Sequence, residues 1–354
     1  MNIGRVGFDS VVLGDGSVLV VGDDHACIPG GADPGSDRAE VYEPAGDRWI
    51  EVESLNKPRK MPATVGLRDG SAMVIGGINA EDVPFSSTKI FSQTTRTWTD
   101  GPLLDVARGQ PMAATLVDGR VLVASLVAVD ETSGTTTTEI YDPSVGTWSR
   151  AATLEGPYLN GLLPLADGRV LGFGSAFEVT VWLEVYDPAR NSWKAIEPPP
   201  AGHVDPEFIA LEDGAILAVG GYSEFEEGRF PTAMVERYEP ADDRWVDVES
   251  LPTTRTASAS VRLADGRVLV AGGNLIRTDG VGRALRTVDA YDPRTGRWSA
   301  LPDLLEPRYG GRAVVLADGS VLVMGGYATF NTEGDTPWCP APMTSVERFS
   351  PPPP

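Results

Sequence analysis

The chain has 354 residues, of which 50 are acidic and 29 are basic, so its formal net charge at pH 7 is −21. An acidic surface repels phosphate groups, which argues against nucleic acid and anionic membranes as partners. No apolar run approaches the length of a membrane helix, about 20 residues, and no apolar signal segment follows Met1. We therefore expect a cytoplasmic protein.

One pattern of turns recurs seven times along the chain. In each copy, two short apolar runs are joined by Asp-Gly, and the copies are about 50 residues apart. Asp-Gly between apolar runs predicts a β-hairpin, because both positions accept positive φ and match the twist of the strands. The seven aspartates are Asp15, Asp69, Asp118, Asp167, Asp213, Asp265 and Asp318.

The second half of each copy predicts another hairpin. In the copy at 258–301, Gly272-Gly273 ends the second apolar run, and a tight turn follows between Tyr291 and Trp298. This copy predicts four antiparallel strands, at 258–263, 268–271, 288–291 and 297–301. Four strands in a repeat of this length are typical of radial repeats. The third-strand aromatic recurs as Tyr42, Phe91, Tyr141, Tyr186, Tyr238, Tyr291 and Phe349, and the fourth-strand tryptophan as Trp49, Trp98, Trp148, Trp193, Trp245 and Trp298.

The order Gly-Gly, Val-Glu-x-Tyr-Asp/Glu-Pro, Trp resembles the kelch motif, and it is most complete at Gly220-Gly221, Val235–Pro240 and Trp245. The resemblance covers essentially the whole chain. It implies an all-β fold, a seven-bladed kelch-type β-propeller with four antiparallel strands in each blade. It also implies a single domain, 1–354, with blades at approximately 5–54, 55–104, 105–154, 155–199, 200–252, 253–302 and 303–350. It implies no single chemistry, because kelch propellers include oxidases, isomerases, lyase-like factors and binding modules.

The last blade departs from the pattern. No tryptophan follows Phe349, and the chain continues as four prolines from Pro351, so we predict a three-stranded blade whose exposed edge the prolines blunt. Closure of the ring then needs another contact between the last blade and the first. A disulfide between Cys27 and Cys339 is one alternative, and two reduced thiols, typical of the cytoplasm, are the other.

The strand directions sort the connecting segments onto two faces of the predicted propeller. The turns at Asp-Gly are short and uniform, whereas the segments after the Gly-Gly positions are long and differ in every blade. We call these the Asp-Gly face and the Gly-Gly face. Because scaffold turns repeat while functional loops diverge, we expect the ligand on the Gly-Gly face.

The residue that opens the first strand is basic or polar in every blade: Arg5, Arg59, Arg108, Tyr158, His203, Arg255 and Arg308. Propeller symmetry places these side chains in a ring at one mouth of the central channel. In kelch proteins that bind acidic peptides, arginines at matching positions hold carboxylates. The resemblance therefore implies that the five arginines bind an anionic small molecule or an acidic peptide. The alternative is that each arginine pairs with an acid of a neighbouring blade, among them Glu40, Glu139, Glu184, Glu236 and Glu347.

A second polar series lies two residues further along, in three consecutive blades. Gln110 and Asn160 are predicted ligand-binding residues, and Asp205 completes the series beside Tyr158 and His203, which replace arginine. A carboxylate near an imidazole raises the imidazole pKa and suits it to proton transfer. An acid/base enzyme without redox chemistry (an isomerase, cyclase or lyase) with Tyr158, His203 and Asp205 as catalytic groups is the alternative to a binding module. Whether the chain is an enzyme stays open.

A cluster of metal-ligand types replaces the glycine pair of the first blade, namely Asp23, Asp24, His25 and Cys27. This mixture of ligands suits a divalent transition metal, but its spacing matches no standard zinc pattern. A metal-dependent enzyme that uses His25 and Cys27 is the third hypothesis. The expectation is that the protein has no cofactor.

Overall fold

The computed structural model describes residues 1–22, 35–128, 134–156, 159–175, 181–200, 203–225, 228–276, 282–329 and 341–353. Within these ranges the regular secondary structure consists of β-strands. A search of the same ranges finds no helix with the length and apolarity to cross a membrane. The predicted all-β class is therefore confirmed.

The first four sheets each contain four consecutive strands. They are sheet 1, β1 (Asp9–Val12), β2 (Val18–Val21), β3 (Ala39–Glu43) and β4 (Arg48–Glu51); sheet 2, β5 (Ala63–Gly66), β6 (Ala72–Ile75), β7 (Thr88–Phe91) and β8 (Trp98–Asp100); sheet 3, β9 (Met112–Thr115), β10 (Val121–Ala128), β11 (Gly134–Asp142) and β12 (Thr147–Arg150); and sheet 4, β13 (Gly161–Pro164), β14 (Val170–Ser175), β15 (Val181–Asp187) and β16 (Ser192–Ile196).

The last three sheets follow the same plan with two small additions. In chain order come β17 (His203–Val204); β18 (Glu207–Ala210) and β19 (Ile216–Val219) of sheet 5; β20 (Tyr222–Phe225) and β21 (Gly228–Pro231); β22 (Val235–Glu239) and β23 (Arg244–Asp247) of sheet 5; β24 (Ala259–Arg262) and β25 (Val268–Ala271) of sheet 6; β26 (Asn274–Ile276) and β27 (Gly282–Ala284); β28 (Val288–Asp292) and β29 (Arg297–Leu301) of sheet 6; and β30 (Arg312–Val315), β31 (Val321–Met324) and β32 (Val346–Phe349) of sheet 7. Every pairing is antiparallel, and sheet 7 has three strands as predicted.

The Asp-Gly hairpins differ from the prediction in one respect. The glycine of each pair has a φ between 81° and 91°, but none of the seven aspartates has a positive φ. Each aspartate instead uses its carboxylate to accept a hydrogen bond from the backbone N–H two residues later, as Asp15 does from Ser17 at 3.0 Å. The turn therefore needs one left-handed residue and one side-chain acceptor.

The core lies between neighbouring sheets. The second strand of each regular repeat is apolar and fully buried, as in β2 and β25. On the outer strands, the third-strand aromatic packs against the fourth-strand tryptophan with ring centroids 4.9–5.3 Å apart. The indole N–H then crosses to the preceding sheet, as Trp298 does to Glu249 O at 2.8 Å. Trp98, Trp148, Trp193, Trp245 and Trp298 each join two sheets in this way.

The first strands of consecutive sheets contact one another, and β30 of sheet 7 contacts β1 of sheet 1. This closed series is the arrangement expected of a kelch-type β-propeller. Hydrogen bonds support the closure, because Gly326 N donates to Arg5 O at 2.9 Å and the Met1 ammonium donates to Thr344 O at 3.0 Å. The cysteines of the alternative closure, Cys27 and Cys339, lie outside the described residues.

Candidate functional site

The five arginines of the predicted ring are buried, with relative exposures of 0–1%. Arg308 illustrates their contacts, because its Nη1 donates to Gly325 O and to Ser345 O, both at 3.1 Å. The same bond to the residue that follows the second strand joins Arg5 to Gly22, Arg59 to Gly76 and Arg255 to Gly272. These four guanidiniums therefore hold the residue after the second strand of their own sheet, whereas Arg108 bonds within β10 and β11, to Ser125 Oγ and Thr137 O.

Carboxylates complete four of these five sites. The pairs are Arg5 with Glu40 at 3.4 Å, Arg108 with Glu139 at 2.9 Å, Arg255 with Asp289, and Arg308 with Glu347 at 2.8 Å. A buried charge costs several kcal/mol unless a partner compensates it, which explains the pairing. The expectation that these arginines form an open rim for an anionic ligand is therefore wrong. The alternative describes them better, with the correction that each acid belongs to the same sheet and not to a neighbouring one.

Arg59 lacks such a carboxylate, since Lys89 occupies the corresponding position on the third strand. Its nitrogens donate to Gly76 O at 2.7 Å and to the carbonyl and hydroxyl oxygens of Ser87 at 3.0 and 2.7 Å. The guanidinium also lies 4.7 Å from the centre of the Phe85 ring. Burial lowers the pKa of Arg59 to about 10, so the group is still charged at neutral pH.

The glycine pairs join sheets 2, 5, 6 and 7 to the arginine position of the next sheet. Gly273 N donates to Arg308 O at 2.8 Å, so the backbone of one sheet bonds to the arginine of the next. A Cβ atom on Gly272 would lie 2.4 Å from the same Arg308 oxygen, and Gly272 has a φ of 65°. Only glycine accommodates both the close approach and the left-handed conformation. The arginines and glycines together form the joints of the scaffold.

His203 occupies the arginine position of sheet 5 and is 2% exposed. Its Nδ1 lies 2.7 Å from Gly220 O, and its Nε2 lies 3.0 Å from Glu236 Oε2. The imidazole therefore repeats the contacts of the buried arginines. The expectation that His203 is an accessible proton-transfer group is wrong, because no substrate atom can reach a ring enclosed in this way.

Two sets of predicted residues lie outside the described residues. One is Tyr158, and the other is the cluster Asp23, Asp24, His25 and Cys27. Among the residues that the structure does describe, no group of three or more His, Cys, Asp or Glu side chains is placed to hold a metal ion. The catalytic role of Tyr158 and the metal hypothesis stay predictions.

The second polar series lies at the mouth of the channel on the Gly-Gly face. Gln110, Asn160 and Asp205 are all exposed. Asn160 Nδ2 donates to Asp205 Oδ1 at 3.0 Å, which links the first strands of sheets 4 and 5. Asp205 has a φ of 50°, a conformation that costs energy for a residue with a Cβ. The structure thus brings Asn160 and Asp205 together.

Three charged side chains line the channel just below this mouth. Asp9, Glu207 and Arg312 are the first residues of β1, β18 and β30. Arg312 interacts electrostatically with both carboxylates, which belong to sheets 1 and 5. The sequence analysis missed Asp9 and Arg312. They stand six residues before the hairpin aspartates Asp15 and Asp318, so the repeat itself contains the signal that identifies them.

The pKa values of both carboxyl groups are raised in the channel. Burial raises the pKa of Glu207 to about 7, although the nearby Arg312 opposes the shift. Burial also raises the pKa of Asp9, against Arg312 and hydrogen bonds from two backbone N–H groups, Thr64 at 2.7 Å and Ser10 at 2.9 Å. Each side chain is surrounded by protein yet touches channel solvent. Glu207 therefore titrates close to neutral pH.

A cleft of about 340 Å³ opens at this place between sheets 4 and 5. Its lining includes the aromatic residues Phe173 and Phe208 and the polar residues Asn160, Asp205, Glu207 and Arg312. Apolar walls with a few convergent polar groups are typical of ligand sites. Hairpins surround this mouth, since β10 and β11 continue past the core of sheet 3 and the pairs β20–β21 and β26–β27 stand beside sheets 5 and 6.

The Asp-Gly face also carries a cleft, of about 460 Å³, between sheets 7 and 1. Its charged groups are already paired, Arg96 with Asp15 at 3.0 Å and Arg348 with Asp318. These contacts belong to the turn structure. We therefore take the cleft beside Asn160 and Asp205 as the candidate site.

Comparisons with known proteins agree with the fold. The family model for the kelch motif matches residues 255–305. Kelch-like protein 35 of Mus musculus is 27% identical over 75% of this chain and 43% of its own length, and Kelch-like protein terF of Aspergillus terreus is 28% identical over 57% and 46%. The chain spans less than half the length of these curated relatives.

A solved structure described as a novel fungal alcohol oxidase with catalytic diversity among the AA5 family, in complex with copper, is similar with a TM-score of 0.71. The similarity covers 99% of this chain and 75% of that one at 18% identity, which supports the fold alone. The kelch-motif match, the similarity to Kelch-like proteins and the recurring Gly-Gly, aromatic and tryptophan positions of the sheets together support a kelch-repeat architecture for this chain.

Proposed function

We propose that this kelch-repeat protein is a binding module that holds a segment of a partner protein at the channel mouth on the Gly-Gly face. The observation that carries the proposal is the cleft between sheets 4 and 5, where Asn160 and Asp205 meet above Glu207 and Arg312. The surrounding hairpins enlarge the surface available to a partner, and the apolar wall of Phe173 and Phe208 offers a place for a side chain.

The charges at the mouth favour a basic group on the partner. The mouth carries three carboxylates, those of Asp9, Asp205 and Glu207, and one guanidinium, that of Arg312. The whole chain carries a net charge of −21. A lysine or arginine side chain entering the cleft would donate charge-assisted hydrogen bonds to the exposed carboxylate of Asp205 and to the partly buried carboxylate of Glu207. The electrostatic field of an acidic protein also steers cationic segments toward it.

An acidic segment or small anion is the second candidate, and it rests on Arg312 instead of the buried ring. Arg312 is exposed to the channel, and its Nε lies 3.3 Å from Phe8 O. A carboxylate bound there would have to compete with Asp9 and Glu207 for the guanidinium. The basic ligand is therefore the one we propose, and the two candidates differ in the sign of the ligand charge.

Single-residue probes test this choice. We expect N-acetyl-arginine amide to bind more tightly than N-acetyl-glutamate amide in calorimetric titrations at low salt. Binding of the arginine amide should weaken about tenfold in Asp205→Asn and in Glu207→Gln, because each loses a charged acceptor. Asp247→Asn, on the exposed outer strand of the same sheet, is the matched control and should bind normally.

Proton uptake by Glu207 adds a second readout. Since its pKa lies at about 7, affinity for the arginine amide should rise as pH increases from 6 to 8, and this rise should vanish in Glu207→Gln. Tighter binding of the glutamate amide, or an arginine-amide affinity that neither substitution changes, would reject the basic-ligand proposal.

A further inference from the structure

Among the described residues, sheet 7 has no counterpart of the fourth strand that completes the other six sheets. Its strands pair in the order β30-β31-β32, and within the described part of the chain no strand pairs with the outer edge of β32. In every other sheet, a fourth strand that carries a tryptophan covers this edge. An uncovered edge presents backbone donors and acceptors that can pair with another strand.

The backbone groups of β32 have the required alternation. Gly325 N donates to Ser345 O at 3.4 Å, so alternate residues from Ser345 onward direct their backbone groups toward β31. Val346 and Arg348 therefore direct their N–H and C=O groups outward. The residue equivalent to Val346 in sheet 1 accepts from the chain beyond the fourth strand, as Val52 N donates to Ala39 O at 3.1 Å.

The aromatic residue of β32 is also uncovered. The six equivalent rings stack on tryptophans and are 0–6% exposed, namely Tyr42, Phe91, Tyr141, Tyr186, Tyr238 and Tyr291. Phe349 is only partly buried and packs on sheet 6. In sheet 6 itself, Trp298 sends its indole N–H to Glu249 O at 2.8 Å. The matching carbonyl for sheet 7 is that of Pro302, which is exposed.

The tail of the chain takes another direction. Arg267 Nη2 donates to Pro352 O at 2.6 Å, which draws the residues after β32 toward the Asp-Gly hairpin of sheet 6. Prolines have no N–H group, so residues 351–353 could not form a ladder with β32 in any case.

We propose that the outer edge of β32 binds an extended segment of a second polypeptide, antiparallel to β32, with a tryptophan opposite Phe349. The six complete sheets supply the register, because their third-strand aromatic always pairs directly with the tryptophan, as Tyr291 does with Trp298. Binding by strand addition gives affinity through backbone hydrogen bonds and selectivity through the aromatic pocket. This site is separate from the channel mouth.

A peptide that copies residues 293–302 of this chain, labelled with fluorescein, is the probe. We expect saturable binding by fluorescence anisotropy, and a peptide with alanine at the position of Trp298 should bind about tenfold more weakly, because it loses the aromatic contact. In hydrogen exchange, the bound peptide should slow the amides of Val346 and Arg348 more than that of Glu347.

Two substitutions at one residue separate edge pairing from side-chain effects. Arg348→Pro removes the outward N–H, whereas Arg348→Ala removes the same contacts to Asp318 and Ser320 but keeps the N–H. We expect peptide binding to be lost in the proline variant and retained in the alanine variant. If the proline variant does not fold, judged by circular dichroism, Phe349→Ala takes its place and should bind at least about tenfold more weakly.

The proposal is overturned if the proline and alanine variants bind equally, if the tryptophan of the peptide is irrelevant, or if the amides of β32 are not protected. It is also overturned if the free protein is a dimer whose β32 amides are already protected, since a second copy would then cover the edge.

Discussion

The arginines show how the environment of one residue type can change the role that its position suggests. Arg108 is enclosed by Glu139 at 2.9 Å, Ser125 Oγ at 3.0 Å and Thr137 O at 2.8 Å. Burial lowers the pKa of its guanidinium, while Glu139 opposes that shift. The side chain stabilises the joint between the second and third strands of sheet 3 and is not available to a ligand.

Arg108→Ala should reduce the free energy of unfolding by about 3–5 kcal/mol, because it leaves the Glu139 carboxylate buried without its cation. Arg150→Ala is the matched control. Its pair with Asp105 is exposed, and its loss should cost at most about 0.5 kcal/mol. Chemical denaturation of both variants measures the difference, and equal effects would contradict the structural role of Arg108.

Sequence reasoning identified the positions of these arginines but did not predict that their side chains are buried. The spacing of the repeat placed Arg5 to Arg308 at equivalent points, and the acids Glu40, Glu139 and Glu347 were recognised as alternative partners. Burial depends on the third-strand acids and on the backbone carbonyls that enclose each guanidinium, which the spacing of one strand does not reveal. The chemical difference between Arg308 and Arg312, one buried and one exposed, depends on that tertiary contact.

At the scale of elements, the strands and hairpins were the most predictable features. The four strands predicted at 258–301 match β24, β25, β28 and β29 to within a residue at most of their ends. The hairpin signal is strong because Asp-Gly acts locally, through one left-handed glycine and one aspartate carboxylate. The small hairpins β20–β21 and β26–β27 were not predicted, although Asp279-Gly280 stands between β26 and β27 in the sequence.

The glycine pairs make a prediction at this scale. Gly272→Ala should destabilise the protein by more than about 3 kcal/mol, because the new Cβ meets Arg308 O at 2.4 Å in addition to the positive φ. Gly319→Ala is the control, with a φ of 81° but no atom within 4 Å of its Cβ, and should cost about 1–2 kcal/mol. Thermal unfolding of the two variants compares them. A Gly272→Ala effect no larger than the control would show that the contact between sheets is unimportant.

At the scale of the whole molecule, closure of the ring creates the chemistry of the channel. Asp9, Glu207 and Arg312 come from sheets 1, 5 and 7, and only the closed arrangement brings them near one another. Predicting the repeat from sequence therefore predicts the fold but not this group, since its members are far apart in the chain. The predicted asymmetry near Asn160 and Asp205 depended only on which repeats depart from the common pattern.

Glu207 links this arrangement to stability. Burial raises its pKa from 4.5 to about 7, so the folded state binds this proton more tightly than the unfolded chain does. The resulting stabilisation is complete below pH 4.5 and is lost as pH rises through 7. Glu207→Gln should therefore raise the free energy of unfolding at pH 8 by on the order of 1–3 kcal/mol, with a much smaller change at pH 5. Urea unfolding at the two pH values measures this, and an equal effect at both would contradict the assigned titration.

The bond from Gly326 to Arg5 has a consequence for how the protein loses its structure. Sheets 2, 5 and 6 each bond through their glycine pair to the backbone of the next sheet, and sheet 7 bonds in the same way to sheet 1. A ring with one repeat removed could close only if the contacts between its remaining sheets were distorted. If it stayed open, the backbone donor and acceptor at its two ends would be exposed to water. A partly closed ring of this kind is not stable. Removing any one repeat should therefore abolish folding of the remaining repeats instead of producing a smaller propeller.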